Sequence, residues 1–143
     1  MNVPPIIQRI EKALARKKQV ILYDPPGTGK TYWAEKVACE LAALWNFKQP
    51  FETLAPFQQS LIYSDHRSGY VRMCCFHPAY QYEDFVEGFR PEPQHGQMFY
   101  ILRDGIFKRL CREALGNPEH RFYLIIDEIN LHVLKSQSDG FGH

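Results

Sequence analysis

Eight consecutive residues constrain this chain more than any others: Asp24, Pro25, Pro26, Gly27, Thr28, Gly29, Lys30 and Thr31. They sit between two segments of different periodicity. Before them, Gln19, Val20, Ile21, Leu22 and Tyr23 make a continuous, mostly apolar run too short for a helix, which predicts a buried strand. After them, Ala34, Val37, Ala38, Leu41, Ala42 and Trp45 recur at helical spacing with Glu35, Lys36 and Glu40 opposite. That pattern predicts an amphipathic helix beginning near Lys30.

A strand, a glycine-rich loop, a Lys-Thr pair and a helix, in this order, meet the requirements of a phosphate-binding loop. Pro26, Gly27, Thr28, Gly29, Lys30 and Thr31 are therefore the candidate nucleotide-binding residues. Gly27 and Gly29 let the backbone approach an anion and turn its N–H groups inward. Lys30 supplies a mobile cation for the β and γ phosphates of a nucleoside triphosphate, and the Thr31 hydroxyl is a candidate Mg²⁺ ligand. The helix adds the positive end of its dipole.

One position departs from the usual pattern: Asp24 stands where the first glycine of the loop is expected. An aspartate there loses glycine's backbone freedom and either sets a negative charge beside a triphosphate or turns away to cap a neighbouring amide.

A second feature supports the first. Phe122, Tyr123, Leu124, Ile125 and Ile126 predict an apolar strand that delivers Asp127 and Glu128 at its C-terminal end, where open parallel sheets place their ligand crevice. Alone, such a pair reads equally well as a solvated strand end. Downstream of a phosphate loop, Asp127 is a candidate to hold Mg²⁺ through its water shell, and Glu128 to deprotonate an attacking water. Glu128 and Lys30 are thus the candidate catalytic residues, and Thr31 and Asp127 the candidate metal ligands.

The 143 residues fit one domain, and 45% hydrophobic with 23% charged residues is ordinary for a globular chain with a real core. A net charge of +1 gives no global attraction to nucleic acid or an anionic membrane. Arg16, Lys17 and Lys18 read as a solvated helix end. Cys39, Cys74, Cys75 and Cys111 lack metal-ligand spacing, and Cys74 and Cys75, adjacent on a predicted strand, face opposite ways. With no signal sequence and no run approaching the ~20 apolar residues of a membrane span, a cytoplasmic protein with reduced thiols is expected.

Elsewhere, Pro4 and Pro5 precede Ile6, Ile7, Ile10 and Leu14 and predict an entry helix. Residues 46–70 predict an irregular connection with at most a short helix near residues 57–61. Residues 70–76 predict a strand stopped by His77 and Pro78. Tyr82, Phe85, Val86 and Phe89 fall on one face of a helix predicted over residues 82–89 and ended by Pro91 and Pro93. Residues 97–102 predict half of a small hairpin, and residues 106–115 a helix closed by Gly116, Asn117 and Pro118. Tyr80, Tyr82, Phe85 and Phe89 read as core. Glu83, Asp84 and Glu87 read as a solvated face or as a rim meeting a neighbouring subunit's arginine. His77 reads as a strand-end hydrogen-bonding residue.

The segment Phe76-His77-Pro78-Ala79-Tyr80-Gln81-Tyr82-Glu83-Asp84-Phe85-Val86-Glu87-Gly88-Phe89-Arg90-Pro91 resembles the stretch after the second strand in AAA+ NTPases of the McrB group, the motor subunits of methylcytosine-dependent restriction systems. Residues 25–33, Gly105-Ile106-Phe107-Lys108 and residues 124–130 resemble the same family in the same order. The resemblance covers roughly residues 5–130. It implies an α/β, AAA+ P-loop core, with a parallel sheet, flanking helices and a small β-hairpin insertion. It further implies Mg²⁺ with ATP or GTP, a ring of AAA+ subunits, a partner nuclease subunit, DNA contacted only indirectly, and the roles already given to Lys30, Thr31, Asp127 and Glu128.

After Asn130 the likeness stops. Residues 1–130 are expected to be the N-terminal part of an AAA+ domain and residues 131–143 an unmatched tail. The family's fourth strand, arginine finger and helical lid come later in its chains, so the expectation is an incomplete core, a truncated form with weak or no turnover. Two alternatives stay open: a non-enzymatic nucleotide-binding regulator of a full-length AAA+ subunit, and a helicase-type P-loop ATPase.

Overall fold

The computed structural model describes residues 3–22 and 29–128. Pro4 caps α1 (Pro5–Lys17), where a missing N–H costs nothing, and its carbonyl accepts from Ile7 at 3.0 Å. Arg16 and Lys17 close the helix at its negative end, as expected. Its buried face, Ile7 and Ile10, packs on Val37 and Leu41 of α2 (Lys30–Phe47).

α2 begins where the sequence places it, but it is covered on two flanks. Val37 and Leu41 meet α1, whereas Ala38, Cys39, Ala42 and Ala43 meet Leu54, Ile62 and Val71. Alanines with no exposed surface at 42 and 43 allow the close approach of the helix to the elements beneath it. Trp45, expected on the core face, is 39% exposed instead. Its ring carries the Arg121 guanidinium at 3.4 Å and the Lys48 ammonium at 4.7 Å, contacts that favour a surface position.

The connection after α2 holds a 3-10 turn (Phe51–Thr53) and α3 (Pro56–Ile62). The Gln58 side chain accepts from the Ala55 N–H at 3.0 Å, satisfying a donor at the start of α3. Gly69 links this connection to the sheet at φ +91°, and a Cβ there would lie 2.5 Å from the Ile62 carbonyl oxygen, so both conformation and space require glycine.

β1 (Val71–Cys75) pairs in parallel with β4 (Tyr123–Asp127), in register from Val71↔Tyr123 to Cys75↔Asp127. The crossover between them carries α4 (Tyr82–Phe85), an antiparallel hairpin of β2 (Glu87–Gln94) and β3 (Gln97–Asp104), and α5 (Ile106–Gly116). His95 and Gly96 turn the hairpin with φ of 50° and 77°, the two-residue primed geometry that matches strand twist.

Two predicted elements are corrected. The helix over residues 82–89 is a single turn, and the chain continues as β2 with Pro91 and Pro93 inside it. Those prolines cannot continue a helix, yet they fit a two-stranded ribbon: both share strand parity, opposite Tyr100 and Met98, at positions that need no ladder donor. Phe89 (67% exposed) and Tyr82 (54%) are consequently not core, while Phe85 stacks on Phe107 and meets Phe76 edge-on. The acids of this segment form internal pairs, Asp84 with Arg90 and Glu87 with Lys108.

The second correction concerns residues 19–22, which form no strand. Val20 and Ile21 are exposed, and only Leu22 reaches the α1–α2 cluster. Among the described residues no strand pairs with this run, and apolar composition without a ladder partner leaves its backbone polar groups to water. The result is mixed α/β with a small parallel sheet and flanking helices, compatible with part of a P-loop domain. Among the described residues no helix is long and apolar enough to cross a membrane.

Candidate functional site

The parallel pair fixes one wall of the site. Asp127 is the last residue of β4, and its carbonyl accepts from the Phe76 N–H at 2.9 Å, which extends the ladder past Cys75. Facing it, Gly29 caps α2 at φ 79°, ψ 28°. A Cβ on Gly29 would meet nothing within 4 Å, so this glycine is demanded by its left-handed backbone and not by crowding. Gly29 offers no capping side chain, and no acid lies in the first turn of α2. The start of this 18-residue helix presents first-turn N–H donors and a positive dipole end.

The two walls meet through one contact. The Thr31 hydroxyl donates to Asp127 Oδ2 at 2.9 Å, joining residues 96 positions apart in the chain. The other carboxylate oxygen, Oδ1, accepts from the Glu128 N–H at 3.0 Å. Glu128 sits at φ 51°, an uncommon conformation for a residue with a side chain. Its carboxylate accepts from the Cys75 thiol at 3.4 Å. Burial, and then the Glu128 carboxylate, push the Cys75 thiol above its ordinary pKa.

Gly29, Lys30, Thr31, Asp127 and Glu128 are thus gathered at the C-terminal end of the parallel pair and the N-terminus of α2. Pro26, Gly27 and Thr28 lie outside the described residues, as do Asp24 and residues 129–143. A hydroxyl and a carboxylate in direct contact are a hard-oxygen donor set that fits Mg²⁺, which takes one or two protein oxygens and completes its shell with water and phosphate.

Sequence reasoning missed Cys75. Its signal lay in aligning the apolar runs 71–75 and 123–127 as parallel neighbours, which places Cys75 opposite Asp127. Also unforeseen is Arg72, 2% exposed on β1, which pairs with Glu113 of α5 and donates through Nε to the Gly69 carbonyl at 3.0 Å.

A glycine-started helix whose threonine contacts a strand-end aspartate is compatible with part of a P-loop domain. Over 124 residues, 87% of this chain, the sequence is 35% identical to the type IV methyl-directed restriction enzyme EcoKMcrB subunit of Escherichia coli (strain K12). The chain spans 22% of that relative's length. No protein-family model matches the chain.

Proposed function

We propose that this chain carries the phosphate- and magnesium-holding part of a nucleoside-triphosphate site of the AAA+ type, in a McrB-like restriction motor. The observation that carries the reading is the 2.9 Å contact between Thr31 and Asp127, which unites the two motifs that phosphate chemistry needs. The 35% identity to a methyl-directed restriction enzyme subunit supports it.

In this reading the first-turn N–H groups of α2 and the Lys30 ammonium bind the β and γ phosphates of ATP or GTP. Thr31 and Asp127 would hold Mg²⁺, which neutralises phosphate charge when bound. Glu128 takes a proton from the attacking water as the water oxygen bonds to the γ phosphorus and the bridging oxygen departs with its electron pair. The proposed setting is a ring of AAA+ subunits working with a nuclease subunit and touching DNA indirectly. Arginines supplied in trans raise related phosphoryl transfers by ~10³ to 10⁵, so turnover by this chain alone is expected to be weak and binding is the primary readout.

The test is equilibrium titration with fluorescent GTP and ATP analogues, with and without Mg²⁺, of wild type, Thr31→Val and Asp127→Asn. Wild type should bind one or both analogues in a Mg²⁺-dependent way. Each variant should lose that dependence, with affinity in Mg²⁺ reduced by roughly tenfold, the worth of a charge-assisted contact. Mg²⁺-independent wild-type binding, or no binding, contradicts the reading. Asp24→Gly, restoring the usual loop residue, should tighten binding.

A further inference from the structure

Cys75 and Asp127 are the last register pair of the parallel ladder, so the chain leaving β4 passes directly beside the end of β1. Glu128 is held there by two anchors. Its N–H is bound to Asp127 Oδ1 at 3.0 Å, which fixes the main chain, and its carboxylate Oε2 accepts from the Cys75 thiol at 3.4 Å, within the reach of a sulfur donor. Among the described residues the thiol is the hydrogen-bond donor this carboxylate has. The positive φ of Glu128 aims its side chain back toward β1 and would be unfavourable without such compensation.

Packing does not account for a cysteine at this position. Burial on β1 falls to Val71, Arg72 and Cys74, whereas Cys75 is only partly covered and belongs to neither buried cluster. It lies next to the strand-end carboxylates, opposite Asp127 in the ladder and in contact with Glu128.

We propose that Cys75 is a positioning residue for Glu128: its thiol holds Oε2 and leaves Oε1 to receive the proton of the hydrolytic water. This rests on the reading of Glu128 as that proton acceptor. The contact orients a group whose alignment matters in the transition state more than in nucleotide binding, so its loss acts on kcat and spares affinity.

The experiment compares the full chain with Cys75→Ala and Cys75→Ser. Mg²⁺-dependent binding of the fluorescent GTP and ATP analogues, kcat and KM are measured, and crystal structures of wild type and Cys75→Ala are determined. Cys75→Ala should bind nucleotide within about twofold of wild type and lose about fivefold in kcat, the effect of one weak thiol hydrogen bond. Cys75→Ser, which restores a donor, should recover most of that loss. The Glu128 carboxylate should leave its wild-type position in the Cys75→Ala structure. An unmoved Glu128 overturns the positioning role whether or not turnover is measurable. Equal kcat in wild type and Cys75→Ala, or a serine variant as impaired as the alanine one, also overturns it. Absence of nucleotide binding by wild type overturns instead the reading of the site, and with it the catalytic meaning of the contact.

Discussion

The β1–β4 pair and residues 19–22 have similar apolar sequences and different fates. Val71 is fully buried, every residue of β1 has a register partner on β4, and α2 covers one face through Ala38, Cys39 and Ala42. Val20 and Ile21, by contrast, are 40% and 78% exposed, and their backbone joins no ladder among the described residues. Apolar, β-branched residues favour a pleated surface, but the neighbour that satisfies the backbone decides whether a strand forms. The contrast carries into the site. Asp127 and Glu128 are held by a ladder and by three hydrogen bonds, whereas on the facing side the described Gly29, Lys30 and Thr31 take their geometry from α2.

The difference can be broken or sharpened by substitution. The largest effect is expected at Ile62, fully buried between α2 and β1: Ile62→Ala should cost about 2–5 kcal/mol in chemical denaturation, and a loss under ~1 kcal/mol would remove the core from beneath the ladder. Next comes Glu113→Ala, which strands the guanidinium of Arg72, 2% exposed and with one buried nitrogen, Nη1, that has no partner among the described residues. Because Glu113 is itself half exposed, the cost should be nearer ~2 kcal/mol than the value for a fully buried pair, and Glu113→Gln should cost less.

Acid sensitivity should be smaller. The Gln81 N–H, then Arg90, hold the Asp84 carboxyl below its ordinary pKa. A depressed folded-state pKa contributes stability that is present above the ordinary aspartate value of ~4 and is lost as pH falls through the folded value. Asp84→Asn should therefore flatten the fall in stability on acidification below that point, while an unchanged acid profile would show that the pairs around α4 contribute nothing. The smallest effect belongs to the other region: Ile21→Ser should change stability by no more than ~0.5 kcal/mol. A loss above ~1 kcal/mol would mean that residues 19–22 are packed, and the comparison would fail.

Much of the site could be read from local chemistry. The start of α2 at Lys30 and the strand ending at Asp127 each depend on neighbouring residue types, and the structure brings Thr31 and Asp127 into contact. The failures involve partners distant in sequence. Tyr82, Phe85, Val86 and Phe89 satisfy a helical period, but pairing with β3 and the close contact of Glu83 with Gly88 turn the second half of that segment into a strand. A Cβ on Gly105 would lie 2.3 Å from the Phe85 carbonyl carbon, a close approach that no periodicity announces. Cys75 was legible as a strand residue, whereas its contact with Glu128 depends on the parallel register. Trp45 fits the helical stripe of α2, yet Arg121, far along the chain, provides its surface partner.

The central claim is that Lys30, Thr31 and Asp127 form a magnesium-dependent triphosphate site. Its most direct test is calorimetric titration of the chain with MgGTP and with MgATP, wild type against Lys30→Ala. Saturable binding of at least one nucleotide by wild type, weakened by roughly 10- to 100-fold in Lys30→Ala as a charge-assisted phosphate contact is lost, is the predicted result. Equal affinity of wild type and Lys30→Ala for the same magnesium nucleotide would contradict the account.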